Sequence, residues 1–288
     1  MVKEGAGRVL ASDPRRAPAD ASYNHMIDTH CHLLNDALAD RVPSVVSQAR
    51  AAGVGAMITV GTTTADSLAS AQLADRHPEV WCTAGVHPLH ALDPRDWDQM
   101  RRAGMHPRCV AWGELGLDRH YPSPTQEQQR PVLEEQLALV ARWNRELGAK
   151  PVVVHCRRAV ADLLPILAAS GLPRDRFVFH CFTEGPDDAR AVLDFGACIS
   201  FTGVVTFRSA PEVQRAAALV PMDRLMCETD APYLSPEPVR GTRPCTPAMV
   251  MHTARHLAAL RDVPWEEFER TVDANACRFF GLPEGTGR

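Results

Sequence analysis

The sequence predicts a single (β/α)₈ barrel of the TIM type, and three observations predict it. Short apolar runs recur with helical patterns between them. The runs are β-branched or aromatic-rich without strict alternation, as parallel strands covered on both faces are. The chain of 288 residues accommodates eight such units in the roughly 250 residues a barrel of this kind occupies. A doubly wound open sheet is the runner-up. It is disfavoured because no GxGxxG follows the first run and no GxxxxGK[ST] occurs.

In order, the strand candidates are MIDTH (26–30), AMITV (56–60), VWCTAGV (80–86), CVAWGEL (109–115), PVVVH (151–155), FVFHC (177–181), ACISF (197–201) and RLMCETD (224–230). The intervening segments carry apolar residues at helical spacing. In 125–148, Thr125 reads as the N-cap and Gly148 as the stop. A second helix is expected over 247–261. Residues 1–24 mix Arg, Asp, Ala and Pro without periodicity and read as a flexible tail, leaving 25–288 as the barrel domain.

Composition sets bounds on function. Hydrophobic residues make up 45% and charged residues 23%, ordinary for a globular protein. No apolar run approaches the ~20 residues of a membrane helix, and the N-terminus has no apolar core of signal-peptide type. A cytoplasmic protein with no membrane and no obligate protein partner is expected. The net charge of -4 does not advertise non-specific nucleic-acid binding. Nine cysteines without a CxxC pair read as reduced thiols. Cys31, Cys156 and Cys181 each follow a histidine of interest, and strand alternation turns them to the packing side.

Barrel active sites lie at the C-terminal ends of strands, and those ends are rich in metal-ligand chemistry. Asp28, His30 and His32 share one face of the first run. His87 ends the third, Glu114 the fourth, His155 the fifth, His180 the sixth and Asp230 the eighth. A lone histidine at a strand end is more often a hydrogen-bonded rim residue. The seven groups other than Asp28, all at strand ends on one mouth, would be costly without a cation. Four imidazoles (His30, His32, His155, His180) and two carboxylates (Glu114, Asp230) suit Zn²⁺, Mn²⁺ or a similar first-row ion, whereas Mg²⁺ prefers oxygen. Six ligands are too many for one catalytic zinc, so two divalent ions sharing a bridge are expected. The chain has two lysines. Lys150 starts the fifth strand and Lys3 lies in the tail, so a carboxylated-lysine bridge is disfavoured and Glu114 is the natural bridge.

The ordered motifs IDTHCHL, GVHPLHA, GELGLDRHY, PVVVHCR, FHCFTEG and CETDAPYLSP, with NACRFFGL at 275–282, resemble the TatD family of metal-dependent hydrolases over residues 26–282. The resemblance implies the (β/α)₈ barrel of the amidohydrolase-like group. It implies the metal ligands His30, His32, Glu114, His155, His180 and Asp230, and deoxyribonuclease, deacylase or esterase activity. After CETDAPYLSP the stretch VRGTRPCTPAMV departs from the family's pattern, with Cys245 and Thr246 in that region, which puts the substrate rim in question.

The expected function is hydrolysis of a phosphodiester in the manner of a 3′–5′ exonuclease, on DNA ends or short oligonucleotides. Asp230 and Glu114 are the expected catalytic residues, and His87 and Arg157 the expected substrate contacts. Asp28 and Asp118 are candidates for orienting groups. Tyr121 and Tyr233 read as core or rim packing in preference to a base-stacking platform. The alternatives are a deacylase, esterase or amidohydrolase acting on a small molecule or an aminoacyl ester, and a non-enzymatic binding protein.

Overall fold

A computed structural model of the protein describes residues 26–283 and residue 286. The expected tail, 1–24, lies outside the described residues. The strands are β1 (Met26–Cys31), β2 (Val54–Thr59), β3 (Val80–Ala84), β4 (Cys109–Asp118), β5 (Val152–Arg157), β6 (Phe177–Phe179), β7 (Cys198–Phe201) and β8 (Leu225–Cys227). They pair in parallel, in chain order, in one sheet. Helices α1 (Val42–Ala51), α2 (Thr64–Arg76), α3 (Trp97–Met105), α4 (Gln126–Leu147), α5 (Val160–Ala169), α6 (Pro186–Phe195), α7 (Pro211–Leu219) and α8 (Val250–Leu260) follow the strands one by one. A last helix, α9 (Trp265–Phe280), ends the repeat. This is a TIM barrel. The chain-order sheet excludes the doubly wound alternative, whose strand order reverses at a switch point.

The expected boundaries move in informative ways. β4 runs on to Asp118 and β5 to Arg157, whereas β8 stops at Cys227. Asp230 therefore lies beyond its strand, in a left-handed conformation with φ 57°, which aspartate tolerates better than most residues. α4 begins and ends as its sequence signals require. Thr125 and Gln128 form a capping box, and Gly148 follows the last turn. No helix among the described residues is long and apolar enough to cross a membrane.

The seam between β1 and β8 is closed in three tiers. At the mouth, Cys31 bridges Ala231, the His32 amide donates to the Ala231 carbonyl at 2.7 Å, and the Asp230 amide donates to the His30 carbonyl at 2.9 Å. In the middle, the Thr29 hydroxyl donates to the Cys227 carbonyl at 3.0 Å, and Asp28 Oδ1 accepts from the Thr229 amide at 2.9 Å. At the strand starts, α9 supplies both partners. Asp273 accepts from the Ile27 amide at 3.0 Å, and Asn275 donates to the Leu225 carbonyl at 2.9 Å. The backbone groups left free where the strands splay are thus satisfied by side chains.

The same helix plugs the barrel floor. Phe279 and Phe280 pack with Ile27, Ile58, Val153, Val178 and Met226 in an interior cluster. The larger core lies between barrel and helices, where Trp112, Trp143, Leu133 and Phe177 are fully buried. With the floor closed by side chains, the opposite mouth is the open end.

Candidate metal centre

The groups named from the strand ends converge on that mouth, with Glu114 at their centre. Its Oε1 lies 3.8 Å from His30 Nε2 and 3.6 Å from His32 Nε2. Its Oε2 lies 2.7 Å from His180 Nε2, 3.5 Å from His155 Nδ1 and 4.0 Å from His87 Nε2. Asp230 Oδ1 joins the first set, 3.2 Å from His32 Nε2 and 3.7 Å from His30 Nε2. Each carboxylate oxygen of Glu114 thus faces its own group of imidazoles.

Local sequence explains how Glu114 reaches this position. The register of β4 against β5 shifts between Trp112 and Leu115, a bulge of the kind that re-aims a side chain. Gly113 has φ 129°, and a Cβ there would sit 2.5 Å from the Val153 carbonyl oxygen. A Cβ on Gly116 would sit 1.8 Å from the His155 carbonyl oxygen. The flanking glycines of GELG let β4 bend and lie close against β5.

Three overlapping groups have ligand atoms within 4.8 Å of one another: His30–His32–Glu114, His30–His180–Asp230 and His87–Glu114–His155. His87, expected to contact substrate, stands inside this ring, with Nε2 3.0 Å from His155 Nδ1. His30 Nε2 is 3.3 Å from His32 Nε2, and the His30 and His180 rings stack at 3.8 Å. Buried Glu114 Oε2 has no aligned hydrogen-bond donor, despite its 2.7 Å approach to His180. Ring nitrogens facing one another around an unsatisfied carboxylate oxygen are costly when buried. They fit a cation at the point they share, and this nitrogen and oxygen donor set suits a first-row divalent metal.

The electrostatics separate the imidazoles into two kinds. Burial, with His180 beside it, holds His30 well below the usual histidine range, and burial with His155 does the same to His87. Burial also opposes a charge on His180, but Glu114 and Glu228 outweigh it and hold His180 well above that range. At Glu114, burial favours the neutral acid, yet His87, His180 and His30 keep the carboxyl well below the usual range.

A second layer holds the histidines. Asp118 Oδ2 pairs with His155 Nε2 at 3.0 Å, while its Oδ1 accepts from the His120 and Tyr121 amides at 2.7 and 3.0 Å. Asp118 is therefore both turn residue and orienting group. Asp28 touches no imidazole ring. It accepts from the His30 amide at 3.3 Å and from the Thr229 hydroxyl at 2.6 Å, and burial pushes its carboxyl up to about 8. Sequence reading missed Glu228. This buried acid lies 3.4 Å from His180 Nδ1 and accepts from the Cys181 amide at 2.6 Å. Its signal was its place two residues before Asp230 in CETD.

The mouth opens into a cavity of about 710 Å³. Arg157, the last residue of β5, lines it, with Cζ 5.5 Å from the Tyr121 ring centroid. Tyr121 and Tyr233 stand at the rim and not in the core. Both line the cavity and are 46% and 51% exposed. Cys31 and Cys156 are buried as expected, although Cys156 also borders the cavity, and the half-buried Cys181 lines it. Lys150 donates to the Cys109 carbonyl at the start of β4, far from the mouth. Residues 239–250 do not line the cavity. The buried Cys245 instead donates its amide to the Pro232 carbonyl at 3.0 Å, bracing the turn that carries Tyr233.

Comparison with known proteins points to one family. The family model described as TatD related DNase matches residues 27–281. An uncharacterized metal-dependent hydrolase, YcfH of Escherichia coli K12, is 39% identical over 260 residues, covering 89% of this chain and 96% of that protein. A Pantoea vagans protein named 3′–5′ ssDNA/RNA exonuclease TatD is 36% identical over 268 residues, covering 89% of this chain and all of its own length. The crystal structure of YjjV, a TatD homologue from E. coli K12, superposes with a TM-score of 0.83 at 28% identity. It covers 91% of this chain and all of its own.

Proposed function

The chain belongs to the TatD related DNase family of metal-dependent hydrolases, and from that premise we propose that it hydrolyses phosphodiesters at free ends of single-stranded nucleic acid. The observation that carries the reading is Glu114, one oxygen facing His30 and His32 and the other facing His155 and His180. His30, His32, Glu114, His155, His180 and Asp230 would hold two divalent first-row ions there, Zn²⁺ or Mn²⁺ before Mg²⁺. When bound, such ions stabilise charge on phosphoryl oxygens and lower the pKa of a bound water toward neutrality.

The chain's own residues do the rest. Asp230 is partly exposed at the cavity wall and has two oxygens, so it can face the histidines with one and take a proton from the attacking water with the other. Arg157 presents a guanidinium suited to the non-bridging phosphate oxygens. Asp118 and Glu228 hold His155 and His180 in orientation. A centre reached through a cavity of about 710 Å³ suits a strand end better than an intact duplex.

One observation favours a second reading, an ester or amide of a small molecule. Arg157 is the only arginine or lysine lining the cavity among the described residues, which is sparse for a polyanion. Purification without chelator, metal analysis and assay on a 3′-labelled single-stranded oligonucleotide separate the two. About two ions per chain and cleavage in the wild type are expected. In Glu114→Ala the metal content should fall and cleavage should drop by at least about 100-fold, beyond the cost of losing an outer-shell partner. Metal-loaded protein that cleaves an ester panel and no oligonucleotide would select the second reading.

A further inference from the structure

The chain has three tyrosines. Tyr121 and Tyr233 both line the metal-centre cavity, and Tyr23 lies outside the described residues. Among the described residues they are also the only Phe, Trp or Tyr side chains that are exposed. Exposing a large ring forfeits the burial that usually places it in a core. Here the two exposed rings both border the candidate metal centre.

Their placement in the barrel is specific. Tyr121 follows β4 and Tyr233 follows β8. In a closed sheet ordered β1 to β8, those strands are four apart, so the two rings rise from opposite sides of the mouth with the donor ring between them. Both are held in place. The Tyr121 amide is fixed by Asp118, which also pairs with His155. The Tyr233 hydroxyl accepts from Asn35 Nδ2 at 3.0 Å, and its ring lies 6.3 Å from that of His32. Arg157 adds a planar cation to the Tyr121 wall, and guanidinium planes stack bases as aromatic rings do.

We propose that Tyr121, with Arg157, and Tyr233 are two base-stacking walls flanking the metal centre, so that a dinucleotide step spanning the mouth sets its phosphate over Glu114 and its two bases on the two rings. This deepens the phosphodiesterase reading and rests on it. Its consequence is recognition of bases by their faces and not their edges, hence tolerance of sequence, since every base has a π-face. A cavity of about 710 Å³ lies within the range of about 300–1,000 Å³ typical of ligand sites.

The test uses equilibrium binding of a two-thymidine dinucleotide and its doubly abasic counterpart, which carries the same backbone. It is run on the wild type, Tyr121→Ala, Tyr233→Ala and the two Phe variants, with melting temperature confirming the fold. The wild type should bind the base-bearing ligand about 5- to 100-fold more tightly for each stacked base. Each Ala variant should lose one base's share of that preference, and each Phe variant should keep it. Equal affinity of the wild type for the two ligands, or an unchanged preference in both Ala variants, overturns the subsite. Hydrolysis is measured separately on base-bearing and abasic oligonucleotides. Equal cleavage of both sinks the subsite and leaves the phosphodiesterase reading intact. Base-dependent binding without cleavage keeps the subsite and sinks that reading.

Discussion

Glu228 shows how a residue with no contact to the solvent-filled mouth still shapes the site. Its carboxylate faces His180 Nδ1 and the Cys181 amide, just after β6, and Thr29 on β1. A histidine whose far nitrogen faces an acid keeps its near nitrogen aimed at the centre. Glu228→Ala should lower metal affinity by about 10- to 100-fold, read by competition with a chromogenic chelator. Glu228→Gln retains an acceptor for the Cys181 amide and should recover part of that loss. Equal loss in both variants would locate the effect in the charge of Glu228; no loss in either would remove its positioning role. Asp118 is the counterpart on the opposite wall, and it differs in also accepting from two backbone amides of the turn that carries Tyr121. That second duty links the histidine ring to the substrate rim.

At the scale of the element, α9 is the least expected component. The run NACRFFGL reads as a terminal motif, yet the helix does two jobs at once. Phe279 and Phe280 close the barrel floor, and Asp273 and Asn275 complete hydrogen bonds that β1 and β8 cannot give each other. Asn275→Ala would strip a partner from the buried Leu225 carbonyl and from the half-buried Met222 carbonyl. Unpaired buried groups cost about 1–3 kcal/mol, so urea denaturation should show a loss of that size with the slope unchanged. A neutral result would mean that water replaces the side chain in the seam.

For the whole molecule, Asp273 couples the seam to pH. Burial, with Glu269 nearby, pushes its carboxyl up to about 8 from an ordinary 3.8, although the Ile27 amide opposes the shift. The folded chain therefore keeps a proton that the unfolded chain releases between about pH 4 and 8. The stabilisation from this group is complete below about pH 4 and is lost as pH rises through 8, with a slope of up to about 1.4 kcal/mol per pH unit. Asp273→Asn keeps the acceptor for Ile27 and has no proton to lose. Thermal melts across pH 4–8 should decline less steeply in the variant than in the wild type. Parallel slopes would show that Asp273 does not carry this dependence.

The sequence by itself determined the barrel, because eight apolar runs and their helices are local patterns read from side-chain type and spacing. It also picked out six of the seven polar strand-end groups that meet at the mouth, His87 being read as a substrate contact instead. His30, His32, Glu114, His155, His180 and Asp230 are residue types whose cost at a strand end is visible without coordinates, and the ordered motifs around them mark the family. Tertiary structure alone decided which oxygen of Glu114 faces which histidines, that His87 stands inside the ring, that Glu228 backs His180, and that Tyr121 and Tyr233 are exposed across from each other. Those facts depend on the bulge in β4, on the closure of β1 against the segment after β8, and on pairs such as Asp28–Thr229 and His180–Glu228, some 201 and 48 positions apart in the chain. Periodicity reports the face of one strand. It carries no information on what a distant strand brings to the same point, because that depends on how the sheet curls and closes.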